Sequence, residues 1–137
     1  MAISQYMCTS FKQQLLEGVH DFTTDTFKMA LYTAEATLNA DTSEYTSSGE
    51  VSGTGYAAGG IALTVNPAPQ TSGTTAFVSF DNAVFEAALT ARGALIYNSS
   101  KSDAAVIVLD FGSDKTMENF TVVFPSATAT SAILRID

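Results

Sequence analysis

Gly53, Gly55, Gly59 and Gly60 fall within the eight residues "GTGYAAGG". Glycine-rich loops of this kind cradle phosphate groups where they open a helix, because free N–H groups then point at the anion. The spacing here is Gly53-x-Gly55-x-x-x-Gly59, one residue longer than the dinucleotide fingerprint, and "IALTV" after it reads as a strand. No Lys-Ser/Thr pair follows, so a Walker loop is excluded as well. The loop is therefore expected to be backbone architecture, a structural turn built on Gly53, Gly55, Gly59 and Gly60. Positive φ is expected at Gly53 and Gly55, where a side chain would be strained.

Other candidate chemistry is thinner. "DFGSDK", Asp110 to Lys115, contains a kinase tripeptide without the lysine strand and catalytic loop a kinase needs, and reads as a strand end running into a turn. His20 is the only histidine and stands beside Asp21, but no nucleophile-elbow pattern accompanies it. Asp81, Asp103, Asp110 and Asp114 lie near expected strand ends, where turns favour aspartate. Oxygen ligands alone would serve calcium, but no spacing has the EF-hand pattern. Cys8 is the single cysteine, which leaves no disulfide or cysteine metal cage. No catalytic, cofactor-binding or metal-ligating residue is assigned, and no enzyme is expected.

The elements that would position any site are strands. Only "SFKQQLLEG" reads as helix, with Ser10 and Gln13 as a capping box, Phe11 and Leu15 one turn apart, and Gly18 at its end. "TFKMALYT" alternates, with Phe27, Met29 and Leu31 on one face. "TAFVSF", "VFEAAL", "NFTVVFP" and "SAILRID" behave likewise. "ARGALIYN" and "AAVIVLDF" are apolar throughout, as for strands covered on both faces. Turn-rich pieces separate them, and Asn66–Thr75 is the expected exposed excursion. Many short strands with almost no helix predict an all-β fold: an antiparallel β-sandwich, jelly-roll or immunoglobulin-like, with a short N-terminal helix. Residues 1–9 are expected to form an arm that orders on binding, and residues 10–137 a single domain.

Composition narrows the partners. A net charge of −8 with six basic residues argues against nucleic acid, which needs clustered Lys and Arg. No apolar run reaches the roughly 20 residues of a membrane span, and the N-terminus lacks the basic and apolar regions of a secretory signal. The expectation is a soluble protein made in a cytoplasm. Asn98-Ser99-Ser100 and Asn119-Phe120-Thr121 match the glycosylation sequon, but no export signal supports them.

Taken in order, "FKQQLLEGVHDF", "DTFKMALYTAEATL", "EVSGTGYAAGG", "ARGALIYN", "AVIVLDFGSDKT" and "FTVVFP" resemble a family of small virion proteins of tailed bacteriophages, of the capsid-decoration (cement) type. The resemblance spans roughly Phe11 to Ile136 and carries no catalytic residues. It implies a β-rich structural protein, synthesised in the host cytoplasm, that binds the major capsid protein at subunit junctions on the outer capsid surface. The acidity fits that side, since the packed genome would repel an anionic protein. Phe11 and Leu15 are the candidate capsid contacts, with core docking as their blander role. The apolar runs make Ile107 and Val108 the candidate subunit interface of a homo-oligomer, with a trimer favoured and a dimer next. The alternative is a phage tail-associated or carbohydrate-binding adhesin module using Tyr45, Tyr56, Asn66 and Asn98, against which the absence of Trp counts.

Overall fold

The structure, a computed structural model, describes residues 2–136; Met1 and Asp137, the outer ends of the expected arm and domain, lie outside the described residues. In chain order the elements are β1 (Tyr6–Met7), α1 (Thr9–Leu16), β2 (Phe27–Tyr32), β3 (Ile61–Ala62), β4 (Gln70–Ser72), β5 (Thr75–Val78), β6 (Ala83–Phe85), β7 (Leu89–Asn98), β8 (Ala104–Met117), β9 (Phe120–Val122) and β10 (Leu134–Ile136). The strands with the strongest apolar patterning, β7 and β8, form the central hairpin of a five-stranded sheet ordered β1-β8-β7-β2-β3. A three-stranded sheet, β10-β5-β4, and the pair β6-β9 complete the fold. Every strand pairing is antiparallel. The fold is all-β and sandwich-like, with one short helix.

Register decides which side chains share a face. Phe27 opposes Asn98, Met29 opposes Ile96 and Leu31 opposes Ala94, so these point the same way. Against this face pack α1, the segment after it and the end of the small sheet, with Phe22 stacked 4.4 Å from Phe27 and Phe80 at 6.0 Å. The opposite face carries Tyr97, Leu95 and Gly93, opposed to Lys28, Ala30 and Tyr32. Residues 33–60 fold over it. Tyr45 packs its ring 4.9 Å from Tyr97, and the Tyr32 hydroxyl donates to the Thr46 carbonyl at 2.6 Å. Ile3 also covers this face, pressing so closely on Gly93 that a Cβ there would lie 2.9 Å from its Cδ1.

Three expectations are corrected by this packing. Ile107 and Val108, expected at a subunit interface, are 5% and 0% exposed and belong to the core. The chain's own α1 and 33–60 excursion bury the two faces that a neighbour was expected to cover. Residues 2–9 are not a free arm: Ile3 bridges Leu38, and β1 pairs with Ile107 and Val108. Nor does a capping box start α1. Ser10 Oγ is buried without a hydrogen-bond partner, and Cys8 occupies the cap position with no side-chain bond. The sheet and the 33–60 excursion hold the helix start instead, since the Cys8 N–H donates to the Val106 carbonyl of β8 and the Thr9 N–H to the Ala40 carbonyl, both at 2.9 Å.

"DFGSDK" is also corrected. β8 continues through it to Met117, accommodating a register shift opposite Ala91 and Gly93. The Asp110 carboxylate accepts from Arg92 Nε and from the Gly112 N–H, both at 2.9 Å, which fixes the irregularity. In the exposed Asn66–Thr75 segment the structure adds a strand that the sequence hid, β4, folded back on β5.

Candidate functional site

The glycine loop closes on its own carboxylate. Glu50 Oε1 accepts from the Tyr45 hydroxyl at 2.5 Å, and Oε2 accepts from the Tyr56 hydroxyl at 2.5 Å and the Gly59 N–H at 2.8 Å. Tyr56 in turn accepts from the Leu31 N–H at 2.9 Å, tying the loop to the edge of β2. Burial and then the bond to Glu50 push both tyrosine hydroxyls well above their ordinary pKa, so they remain donors. An anionic carboxylate thus occupies the donors that a phosphate would seek. Gly60 has φ +80°, and a Cβ there would lie 1.7 Å from the Met29 carbonyl oxygen. Gly55 has φ +89°, and a Cβ there would lie 2.7 Å from the Ala87 methyl. Gly53, expected at positive φ, is not there: an added Cβ would meet nothing nearer than Leu89 Cδ2 at 4.0 Å.

Of the residues considered for sugar binding, Tyr45 and Tyr56 meet on Glu50, but Asn66 and Asn98 do not join them. Tyr45 and Tyr56 turn their rings onto Tyr97 and Phe85. Asn66 donates to Asp81 at 2.8 Å. Asn98 is fully buried on the other face of the sheet, which also removes it as a glycosylation acceptor. Among the described residues no group of three or more His, Cys, Asp or Glu could hold a metal ion.

His20 does not pair with Asp21, whose carboxylate accepts from the Thr23 N–H and hydroxyl. Its Nε2 meets Gln14 Oε1 at 2.8 Å and its Nδ1 meets Asn98 Nδ2 at 2.9 Å. Asn98 Nδ2 also donates to Asp25 Oδ2 at 2.8 Å, and Lys101 Nζ donates to both Asp25 oxygens at 2.8 and 2.9 Å. Burial alone would raise the Asp25 carboxyl, but Lys101, Asn98 and the Asp21 N–H hold it at about 2. Both imidazole nitrogens are occupied by amide side chains rather than by a hydroxyl or thiol, so the arrangement is a joint between α1, β7 and the β7–β8 turn, not a nucleophilic triad. Sequence reading missed this cluster because its members lie up to 87 positions apart, from Gln14 to Lys101.

One open groove is lined mainly by apolar side chains. It encloses about 120 Å³ and runs between α1 and the β10-β5-β4 sheet. Met7, Phe11, Leu15 and Phe22 line one side, and Phe77 and Ile136 are among the residues of the other. Phe11, one of the two expected contacts, forms the fully buried floor and is withdrawn as a surface anchor; Leu15 is half-buried at the wall. Leu16, next along the helix, is 92% exposed but does not line the groove, and Ile136 is 61% exposed at the rim opposite Leu15. The helix periodicity located Leu15, and the alternation in "SAILRID" located Ile136, but nothing local showed that they face one groove. No protein-family model matches the chain, and no curated protein or solved structure matches it.

Proposed function

We propose that the chain is a structural virion protein that docks on the outer surface of a phage capsid and reinforces the junctions between its subunits. The observation that carries the reading is the apolar groove between α1 and β10, with Ile136 exposed at its rim. Exposed apolar side chains around a concave floor suit a protein partner, where a few central anchors dominate affinity. The resemblance to capsid-decoration proteins names that partner as the major capsid protein. A net charge of −8 favours a basic docking face and disfavours the genome side of the shell. The case for a trimer through Ile107 and Val108 is dropped, because the core already uses both residues.

Co-sedimentation with empty capsids tests the reading. The parent protein is expected in the capsid pellet. Leu15→Glu and Ile136→Glu should each weaken retention by about tenfold or more while leaving the fold intact. Ser48→Glu, on the excursion over the far face of the sheet, should bind as the parent does. Equal retention of all three variants, or no retention of the parent, would overturn the proposal.

A further inference from the structure

The Gln14–His20–Asn98–Asp25–Lys101 joint has a fixed hydrogen-bond direction. Asn98 Oδ1 accepts from the Ser100 N–H at 3.0 Å while its Nδ2 donates to Asp25. Turning the amide over would lose the Ser100 bond and set Oδ1 against the Asp25 carboxylate. The amide therefore presents N–H to the ring, so Nδ1 must offer a lone pair and Nε2 must carry the proton donated to Gln14. This arrangement suits only neutral imidazole. A second proton, on Nδ1, would point at the Asn98 N–H group.

The surroundings bear on the same equilibrium. The charged groups around the ring are the Asp25 carboxylate from the segment after α1 and the Lys101 ammonium from the β7–β8 turn. Asp21, next in sequence, turns its carboxylate to Thr23, and Glu17 at the helix end accepts from Gln13. β2 contributes only the Phe27 ring, centred 6.3 Å away, and α1 contributes Phe11 at 4.8 Å and Gln14. Burial lowers the His20 pKa below its ordinary 6.5; Asp25 opposes this and Lys101 adds to it. Asp25, held at about 2, keeps its charge throughout the window in which the histidine titrates.

We propose that His20 is an acid-sensitive latch: protonation at Nδ1 breaks the bond to Asn98 and releases the C-terminal half of α1, and with it the Leu15 wall of the groove. An eight-residue helix has little stability of its own, so its C-terminal end depends on this docking. Its start remains tied to β8 through Cys8 and to the 33–60 excursion through Thr9. The release needs no partner; its consequence for docking rests on the reading given under Proposed function.

Amide exchange and the His20 ring titration, both followed by NMR on the full chain between about pH 7.5 and pH 5, test the latch. After correction for intrinsic exchange, protection of the Gln13–Glu17 amides should fall as His20 protonates, while β7 and β8 amides stay protected. The fall should be about tenfold for each unit by which the released histidine pKa exceeds the docked one. His20→Gln keeps a donor and an acceptor but cannot titrate, and should give a flat profile. Helix protection independent of pH in the parent, or the parent's profile in His20→Gln, would overturn the latch. Where that variant does not fold, the parent's two curves decide: coincident midpoints support the latch and separated ones overturn it. Capsid retention measured over the same window separates the two proposals. Helix release with retention unchanged keeps the latch and defeats the groove as docking site.

Discussion

At Gly60 a Cβ would stand 1.7 Å from a backbone oxygen that cannot move without displacing β2, and φ is +80° as well. Gly60→Ala should therefore cost about 3 kcal/mol or prevent folding, whereas Gly53→Ala should stay within about 0.5 kcal/mol, by urea denaturation. Glu50 is the second test at this scale. Glu50→Ala leaves two tyrosine hydroxyls and the Gly59 N–H without their acceptor, at a cost of about 2–3 kcal/mol. ATP or NAD should not raise the melting temperature of the parent, since Glu50 would repel their phosphates. The glycine cluster was legible as backbone architecture from its missing helix and lysine. Which glycine matters was not, because the strain at Gly60 comes from Met29, 31 positions earlier, and no local pattern encodes that approach.

The strands show the same division between local and distant causes. Alternation located β2, β5, β9 and β10, and continuous apolar runs marked β7 and β8 as covered on both faces. What covers them was read wrongly. The polar, turn-rich 33–60 stretch has little periodicity, yet it places Ala36, Leu38 and Val51 on the sheet. β1 and β4, of two and three residues, are too short to show a period and exist through their partners. The expected arm was misjudged for the same reason, because Ile3 and Cys8 find their cover in residues far along the chain. A prediction follows for β8. Ile107→Glu or Val108→Glu should unfold the protein rather than dissociate an assembly, with a cost of about 4 kcal/mol or more for an unpaired buried charge. Circular dichroism together with light scattering checks this: a folded, smaller particle would contradict it.

For the molecule as a whole, acid acts through groups with depressed pKa values: His20 and Asp25 in the joint, with the exposed Asp21 and Asp110 carboxylates lowered in the same direction. His20 below 6.5 and Asp25 at about 2 each bind protons more weakly folded than unfolded. Each contributes stability that is present above its unfolded pKa and lost as pH falls through its folded one. Stability should thus decline in two steps, the first below about pH 6.5 and the second between about pH 4 and pH 2. Asp25 contributes about 2 kcal/mol of the second step, and Asp25→Asn should shrink it by that amount in denaturation curves taken across that range. A last consequence concerns synthesis rather than the finished fold. β1 and the start of α1 bond to Val106, Ile107 and Val108, and β2 pairs along its length with β7. β2 lacks β7 until Asn98 has been translated, and β1 and the Cys8 cap lack their partners until the ribosome has passed Val108. At about 5–20 residues per second, roughly 4–15 s separate the end of β2 from that point. During that interval Phe11, Phe27, Met29 and Leu31 travel uncovered, and a nascent chain arrested before Ala104 should be bound by chaperones or lost to aggregation.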